Sequence, residues 1–311
     1  MTVPETAAAD PARVRYEGVA RHPPRLLLTL LGDYWWRQTE PLPSAGLVAL
    51  LGEFGVSDSA ARAALSRLTR NGLLVASKQG RRTSHRLSDR AAAVLDEGAR
   101  RIFSFGRSAR PWDGMWNIVA FSVPERDRAA RHALRERLRW LGFAPLYDGL
   151  WVAPWDHADA VVDQLADLGI PTATVFRAAA VPGPAPGRTP SHAWDLDDLH
   201  HRYQEFIAAA ADLSERIQAG AVSPVDALIA RTYVMDQWRA FPALDPELPE
   251  ELLPPHWPRA RARELFITTY DLLGPLAAHR VRQILARHAP ELATRATYHG
   301  SDADLAEPPG T

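Results

Sequence analysis

The 311-residue chain contains no cysteine. That removes disulfide frameworks, thiolate zinc sites and cysteine nucleophiles together, and it fits the reducing cytoplasm. Long apolar runs are also missing. No segment approaches the roughly 20 uncharged residues that a bilayer-spanning helix needs. The opening stretch, MTVPETAAADPARVRYEGVA, lacks the apolar core of a signal peptide and reads as a loose arm. There is no phosphate-cradling glycine loop, no Gly-x-Ser-x-Gly elbow and no His-Glu-x-x-His pair. No nucleophile is set beside a base. The expectation is a cytoplasmic protein without membrane contact, catalytic residues, metal or cofactor.

Net charge is low as well, at −1, but it conceals an asymmetry. Residues 21–107 carry 14 Lys and Arg against 7 Asp and Glu, whereas residues 191–311 carry 11 against 18. The segment between them, 108–190, is balanced at 9 against 9. A basic first third suits a polyanionic partner and an acidic last third does not.

Apolar periodicity then divides the chain. Beyond the arm, 1–20, comes a unit over 21–107 with helices at Leu27–Tyr34, Leu42–Phe54 and Asp58–Asn71. Ser44 and Ser57 are the expected caps of the second and third, and Asn71-Gly72 is the stop. Two strands follow, Leu73–Ala76 and Ser84–Leu87, around a basic turn at 78–82. Ser88 caps a fourth helix. Three helices, a hairpin and a helix is the order of a winged helix-turn-helix. Residues 108–180 run strand, helix, hairpin at Asp148-Gly149, helix, strand, the order of a ferredoxin-like βαββαβ domain. A Pro/Gly linker, 181–190, leads to a mostly helical part, 191–300, and a tail, 301–311. There Ser223-Pro224 opens one helix. A long helix from Arg259 is expected to bury Leu265, Phe266, Tyr270, Leu273 and Leu276 and to kink at Gly274-Pro275. The fold class is α+β and multidomain.

The third helix carries the sharpest functional pattern. With Ala61, Ala64, Leu65 and Leu68 inward, Ser59, Arg62, Ala63, Ser66, Arg67 and Arg70 face out. Such a helix fits the major groove, where arginine donates two hydrogen bonds to guanine and small residues permit close approach. Ser59, Arg62, Ser66 and Arg67 are the base-reading candidates, and Arg70 a phosphate contact. On the hairpin, Lys78, Arg81, Arg82, His85 and Arg86 would neutralise phosphates or enter the minor groove. The plainer alternative is an ordinary solvated helix beside a basic hairpin, which the two features together make less economical.

Other clusters carry less. Arg128, Arg131, Arg135 and Arg139 share one helix face, which would bind DNA or an anionic ligand such as a coenzyme A phosphate, or would simply pair with neighbouring acids. His192, His200 and His201 lie near Asp195, Asp197 and Asp198 but match no ligand spacing, and read as surface histidines. The 10 tryptophans are mostly core and interface fillers.

From about Pro23 to the long C-terminal helix the residues resemble the PaaX family, repressors of phenylacetic acid degradation operons. The resemblance rests on LLTLLGDYWW, SDSAARAALSRLTRNGLL, GRRTSHRLS, WDGMWNIVAFSVPE, LRERLRWLGFAPLYDGLWVAP and FPALDPELPEELLPPHW. It implies a homodimer that binds a palindromic double-stranded DNA operator and is released by an aryl-CoA thioester, typically phenylacetyl-CoA. It also points to Asp236, Trp238 and Arg239 as a candidate effector region. The family often carries a His-acid pair there, where this chain has Asp236-Gln237; if that pair senses ligand, this chain would answer a different effector.

Two further readings stand beside this one. The βαββαβ unit resembles small CRISPR-associated nucleases, whose metal needs carboxylates at the end of the first strand. That strand ends Phe121-Ser122-Val123-Pro124, with Glu125 just beyond. A pure protein-binding module would have no use for the basic helix and turn.

Overall fold

The computed structural model describes residues 22–107, 111–180 and 189–301. The expected arm, most of the linker and the tail beyond Ser301 lie outside them. In chain order the elements are α1 (Pro23–Tyr34), β1 (Leu42–Pro43), α2 (Ser44–Gly52), α3 (Asp58–Arg70), β2 (Leu74–Gln79), β3 (Arg82–Leu87) and α4 (Asp89–Ser104). Then come β4 (Met115–Phe121), α5 (Arg128–Trp140), β5 (Ala144–Tyr147), β6 (Leu150–Ala153), α6 (Ala158–Asp167) and β7 (Ala173–Ala179). The rest is helical: α7 (Leu196–Gln218), α8 (Pro224–Trp238), α9 (Phe241–Leu244), α10 (Arg259–Ala286) and α11 (Pro290–Ala293). The class is α+β, with two small antiparallel sheets.

These elements form two compact units that do not follow chain order. One comprises the residues up to Phe105, Phe206–Phe241 and those from Arg261 on; the other comprises Gly106–Glu205 and Pro242–Ala260.

In the first unit the leucines of α1 behave as their spacing predicts: Leu27, Leu30, Leu31 and Tyr34 are buried. The start of α2 differs from expectation. Leu42 and Pro43 form β1, opposite His85 and Ser84 of β3, so the sheet is three-stranded in the order β1-β3-β2. Ser44 does not cap its helix, because its hydroxyl instead donates to the Thr83 carbonyl at 2.8 Å across that sheet.

The C-terminal helices share this unit's interior. Trp238 is wholly buried, stacked on Phe266 at 4.8 Å, and its ring N–H donates to the Ile102 carbonyl. Along α10, Leu265, Phe266, Tyr270 and Leu273 are buried, but Leu276 is 38% exposed. The inward stripe passes from Leu273 to Ala277, one residue beyond Leu276. Helix α10 runs through Pro275, and Gly274 lies under the Tyr298 ring.

A polar cluster lies inside this core. Arg231 of α8 has no exposed surface; its Nε donates to the Tyr270 carbonyl at 3.0 Å and an Nη to the His299 carbonyl at 2.6 Å. The guanidinium sits 3.7 Å from the Tyr270 ring centroid and 3.7 Å from Asp33 of α1, which accepts from the Tyr270 hydroxyl at 2.7 Å. Burial raises the Asp33 carboxyl above its ordinary range, against the pull of Arg231. Further out, Arg280 of α10 binds both carboxylate oxygens of Glu53, just past α2.

The second unit holds a four-stranded sheet in the order β5-β6-β4-β7, every pair antiparallel. With a helix after β4 and another after β6, this is the split βαβ arrangement read from the sequence. Leu134, Leu138, Val161 and Leu165 of α5 and α6 pack with Val119, Phe121 and Trp151 on one face. The other face carries Trp116, Leu146 and Val152, covered by Trp112, Trp194 and Leu252. Trp140 departs from the filler role: at 80% exposed, it ends α5 in solvent.

The hairpin glycine at 149 is there for space. A Cβ built on it would lie 2.6 Å from the Phe121 carbonyl oxygen, whose own N–H donates to the Gly149 carbonyl. Gly149→Ala should therefore destabilise the protein by about 1–3 kcal/mol. Gly274→Ala should have the smaller effect, because its clash is with the Tyr298 ring, which can swing aside. Denaturant titration of both variants checks the ranking.

Candidate nucleic-acid interface

Helix α3 is set by its own sequence. Ser57 at the cap accepts from the Ala60 N–H at 3.3 Å, and Asp58 in the first turn faces the positive end of the helix dipole. Its buried residues are Ala61, Ala64, Leu65 and Leu68. That packing against α1, α2 and β2 fixes which side faces water. Ser59, Arg62, Ala63, Ser66, Arg67 and Arg70 are all exposed. Arg62 lies 4.0 Å from Asp58, a weak i,i+4 pair, and the Ser59 hydroxyl lies 3.1 Å from that of Ser57. The helix ends at Asn71 and Gly72, where Gly72 alone takes the left-handed conformation, at φ 69°. The chain then enters β2 directly.

The hairpin is longer than the sequence suggests. β2 and β3 pair from Leu74–Leu87 out to Gln79–Arg82, leaving a two-residue turn of Gly80 and Arg81, with Gly80 at φ 61°. Lys78, Arg81 and Arg82 are exposed around that turn. Arg86 is half-buried, donates to the Leu87 carbonyl and lies 4.0 Å from Asp89. His85 corrects an expectation. It points inward at 8% exposure beside the Ser44 hydroxyl, and burial lowers its pKa, so it supplies no cation to a phosphate. Strand alternation explains this: His85 and Leu87 share the buried side of β3.

Among the described residues, Arg67, Arg70, Lys78, Arg81 and Arg82 have no ion-pair partner. The stripe on α5 is different. Arg131 donates to the Val123 carbonyl, Arg135 to Asp148, and Arg139 lies over the Trp151 ring, while Arg128 is exposed. Three of those four arginines are thus engaged within their own unit.

The remaining candidates have local partners. His192 caps the turn at Thr189, His201 pairs with Glu205, and His200 sits edge-on to Trp257. No group of three potential metal ligands occurs among the described residues. Of the candidate effector residues, Trp238 is corrected to core: its ring has no exposed surface to offer a ligand. Asp236 and Arg239 are part-buried and pair with each other. Their neighbours Arg25 and Thr29 on α1 went unnoticed in the sequence, since nothing local joins positions 210 residues apart.

Comparison with known proteins places these features in a family. Residues 24–91 match the family described as PaaX-like protein, residues 109–189 the PaaX protein central Cas2-like domain, and residues 194–283 the PaaX-like protein C-terminal domain. The chain is 28% identical over 259 residues to the transcriptional repressor PaaX of Escherichia coli K12, covering 81% of this chain and 80% of that protein. Among solved structures it is similar to the uncharacterized protein Rv0674 from Mycobacterium tuberculosis. The TM-score is 0.52 at 23% identity, with 85% of this chain and 99% of that one covered, a likeness of fold.

The buried His85 gives the unit a pH dependence. Its folded pKa lies below the ordinary 6.5, so the unfolded chain binds the proton more readily. Stability is then complete above about pH 6.5 and falls as the pH drops below it. Thermal midpoints measured from about pH 8 to about pH 5.5 should decline on the acid side, and His85→Gln should make that decline shallower.

Proposed function

The chain belongs to the PaaX family, and from that premise we propose that it is a transcriptional repressor that reads duplex DNA through a winged helix built from α1–α4 and β1–β3. The observation that carries the reading is the group of exposed cations on the outward side of α3 and around the β2–β3 turn, of which Arg67, Arg70, Lys78, Arg81 and Arg82 have no ion-pair partner among the described residues. Unneutralised arginines next to small residues on a capped helix suit the major groove, and a basic hairpin tip suits phosphate or the minor groove. Arg62, Ser66 and Arg67, with Ser59 at the helix start, are assigned to base edges. Arg70, Lys78, Arg81, Arg82 and Arg86 are assigned to phosphates.

The protein works in the cytoplasm as a homodimer on a palindromic operator. The operator controls an aromatic-acid catabolic operon and is released by an aryl-CoA thioester. The named repressor among its relatives supports the repressor reading, and the family resemblance supports the dimer, the palindromic operator and the effector. The residue set at Asp236-Gln237 leaves the preferred acyl group to this chain's own chemistry. Arg128 on the exposed part of α5 is the residue of that stripe left to meet an anion.

A gel shift with the DNA upstream of the chain's own gene should show specific retardation. Arg67→Ala should weaken operator binding by about 1–3 kcal/mol at one base position and leave random-sequence binding nearly unchanged. Arg82→Ala should weaken both alike and reduce the salt slope by about one. Equal losses on operator and random DNA for Arg67→Ala would remove it from base reading.

A further inference from the structure

Where helix α8 ends, two guanidiniums meet one carboxylate oxygen. Arg239 donates to Asp236 Oδ1, and Arg25 of α1 approaches the same atom at 3.5 Å. The cluster carries two positive charges against one negative. The next carboxyl, Asp33, is itself engaged with Arg231 at 3.7 Å and with the Tyr270 hydroxyl. Arg239 is mostly buried, with a side chain 18% exposed, and its Nε has no acceptor among the described residues. Burial lowers its pKa, and the neighbouring Arg25 charge adds to that, against the pull of Asp236. Arg25, at 55% exposed, opens the pair to solvent.

We propose that Arg25 and Arg239 form a receptor for a phosphate-type anion, and that Asp236 is an internal occupant which the incoming group displaces. Planar guanidinium forks match phosphate oxygens two at a time, and a dianion would balance both charges where a single carboxylate oxygen does not. The arrangement also has an output. A terminal nitrogen of Arg239 donates to the Thr29 hydroxyl at 2.6 Å, and that hydroxyl donates to the Arg25 carbonyl at 3.1 Å. Both residues lie on α1, which packs against α3. An anion that draws Arg239 from Asp236 and Thr29 alters the hold on α1, and through it the presentation of α3. Anion capture stands on geometry alone; its effect on DNA rests on the repressor reading above.

The test uses the full-length protein, with pyrophosphate, coenzyme A and phenylacetate as separate probes in titration calorimetry. Pyrophosphate and coenzyme A should bind and phenylacetate should not. Asp236→Asn, which removes the competing charge, should tighten pyrophosphate binding about tenfold. Arg239→Gln and the more exposed Arg25→Gln should each weaken it about tenfold. Arg261→Gln, at an exposed pair with Glu264, controls for loss of a surface charge and should change nothing. Binding that is absent, or indifferent to Arg25→Gln and Asp236→Asn, overturns the receptor; phenylacetate binding through the same residues overturns its phosphate character. In a parallel gel shift, pyrophosphate or coenzyme A should reduce retardation in the parent protein and more readily in Asp236→Asn. No retardation without any ligand would instead sink the repressor reading and leave the calorimetric result standing. Retardation that persists with the anion bound overturns the link to α1.

Discussion

Arg231 is a positive charge taken wholly out of water, and a charge so placed is tolerated only when its surroundings replace the lost hydration. Here the replacement comes from the Tyr270 and His299 carbonyls, the Tyr270 ring and the Asp33 carboxyl, contributed by α10, the last described residues and α1. Stabilising one cation therefore requires segments from both ends of the chain to stay together. The hydroxyl of Tyr270, reaching Asp33 across 237 residues of sequence, closes the same circuit. Helix α1 is held by this cluster while its leucines take part in the core. The surfaces left to solvent on α3 and the β2–β3 turn rest on that frame.

Basic residues occur in several places, and what distinguishes them is whether the protein has already used them. The arginines of α5 share a helix face, yet Arg131, Arg135 and Arg139 are engaged with a carbonyl, a carboxylate and a ring of their own unit. Those of α3 and the turn, from Arg67 to Arg82, have no such partners among the described residues. Their desolvation against a polyanion would not have to break an internal contact first. That difference in prior occupation, more than the number of cations, favours the first unit as the part that meets nucleic acid.

Much of this was legible in the sequence because it is local. The spacing of Ala61, Ala64, Leu65 and Leu68, the caps at Ser57 and Ser88 and the Asp148-Gly149 hairpin depend on residues within a few positions of each other. What escaped was set at a distance. β1 is two residues long and includes a proline, so no periodicity marks it; it exists because β3 offers an edge. Ser44 had the composition of a cap but found its acceptor on β3. His85 sat in a basic run and turned inward because strand alternation put it beside Leu87. Leu276 surfaced because the buried stripe of α10 continues through Ala277. Asp33 and Arg231 gave no hint of each other, and neither did Thr29 and Arg239, since side-chain chemistry alone does not say which helices will touch.

The interleaving of the first unit bears on how the protein is made. A ribosome adds roughly 5–20 residues each second, so the stretch separating Asp33 from Tyr270 takes on the order of 10–50 s to emerge. For most of that interval the leucine-rich first helix has neither partner, since Arg231 precedes Tyr270 by only 39 residues. The cluster around Arg231 can close only after Tyr270 and His299 have left the exit tunnel, so this core forms late in synthesis.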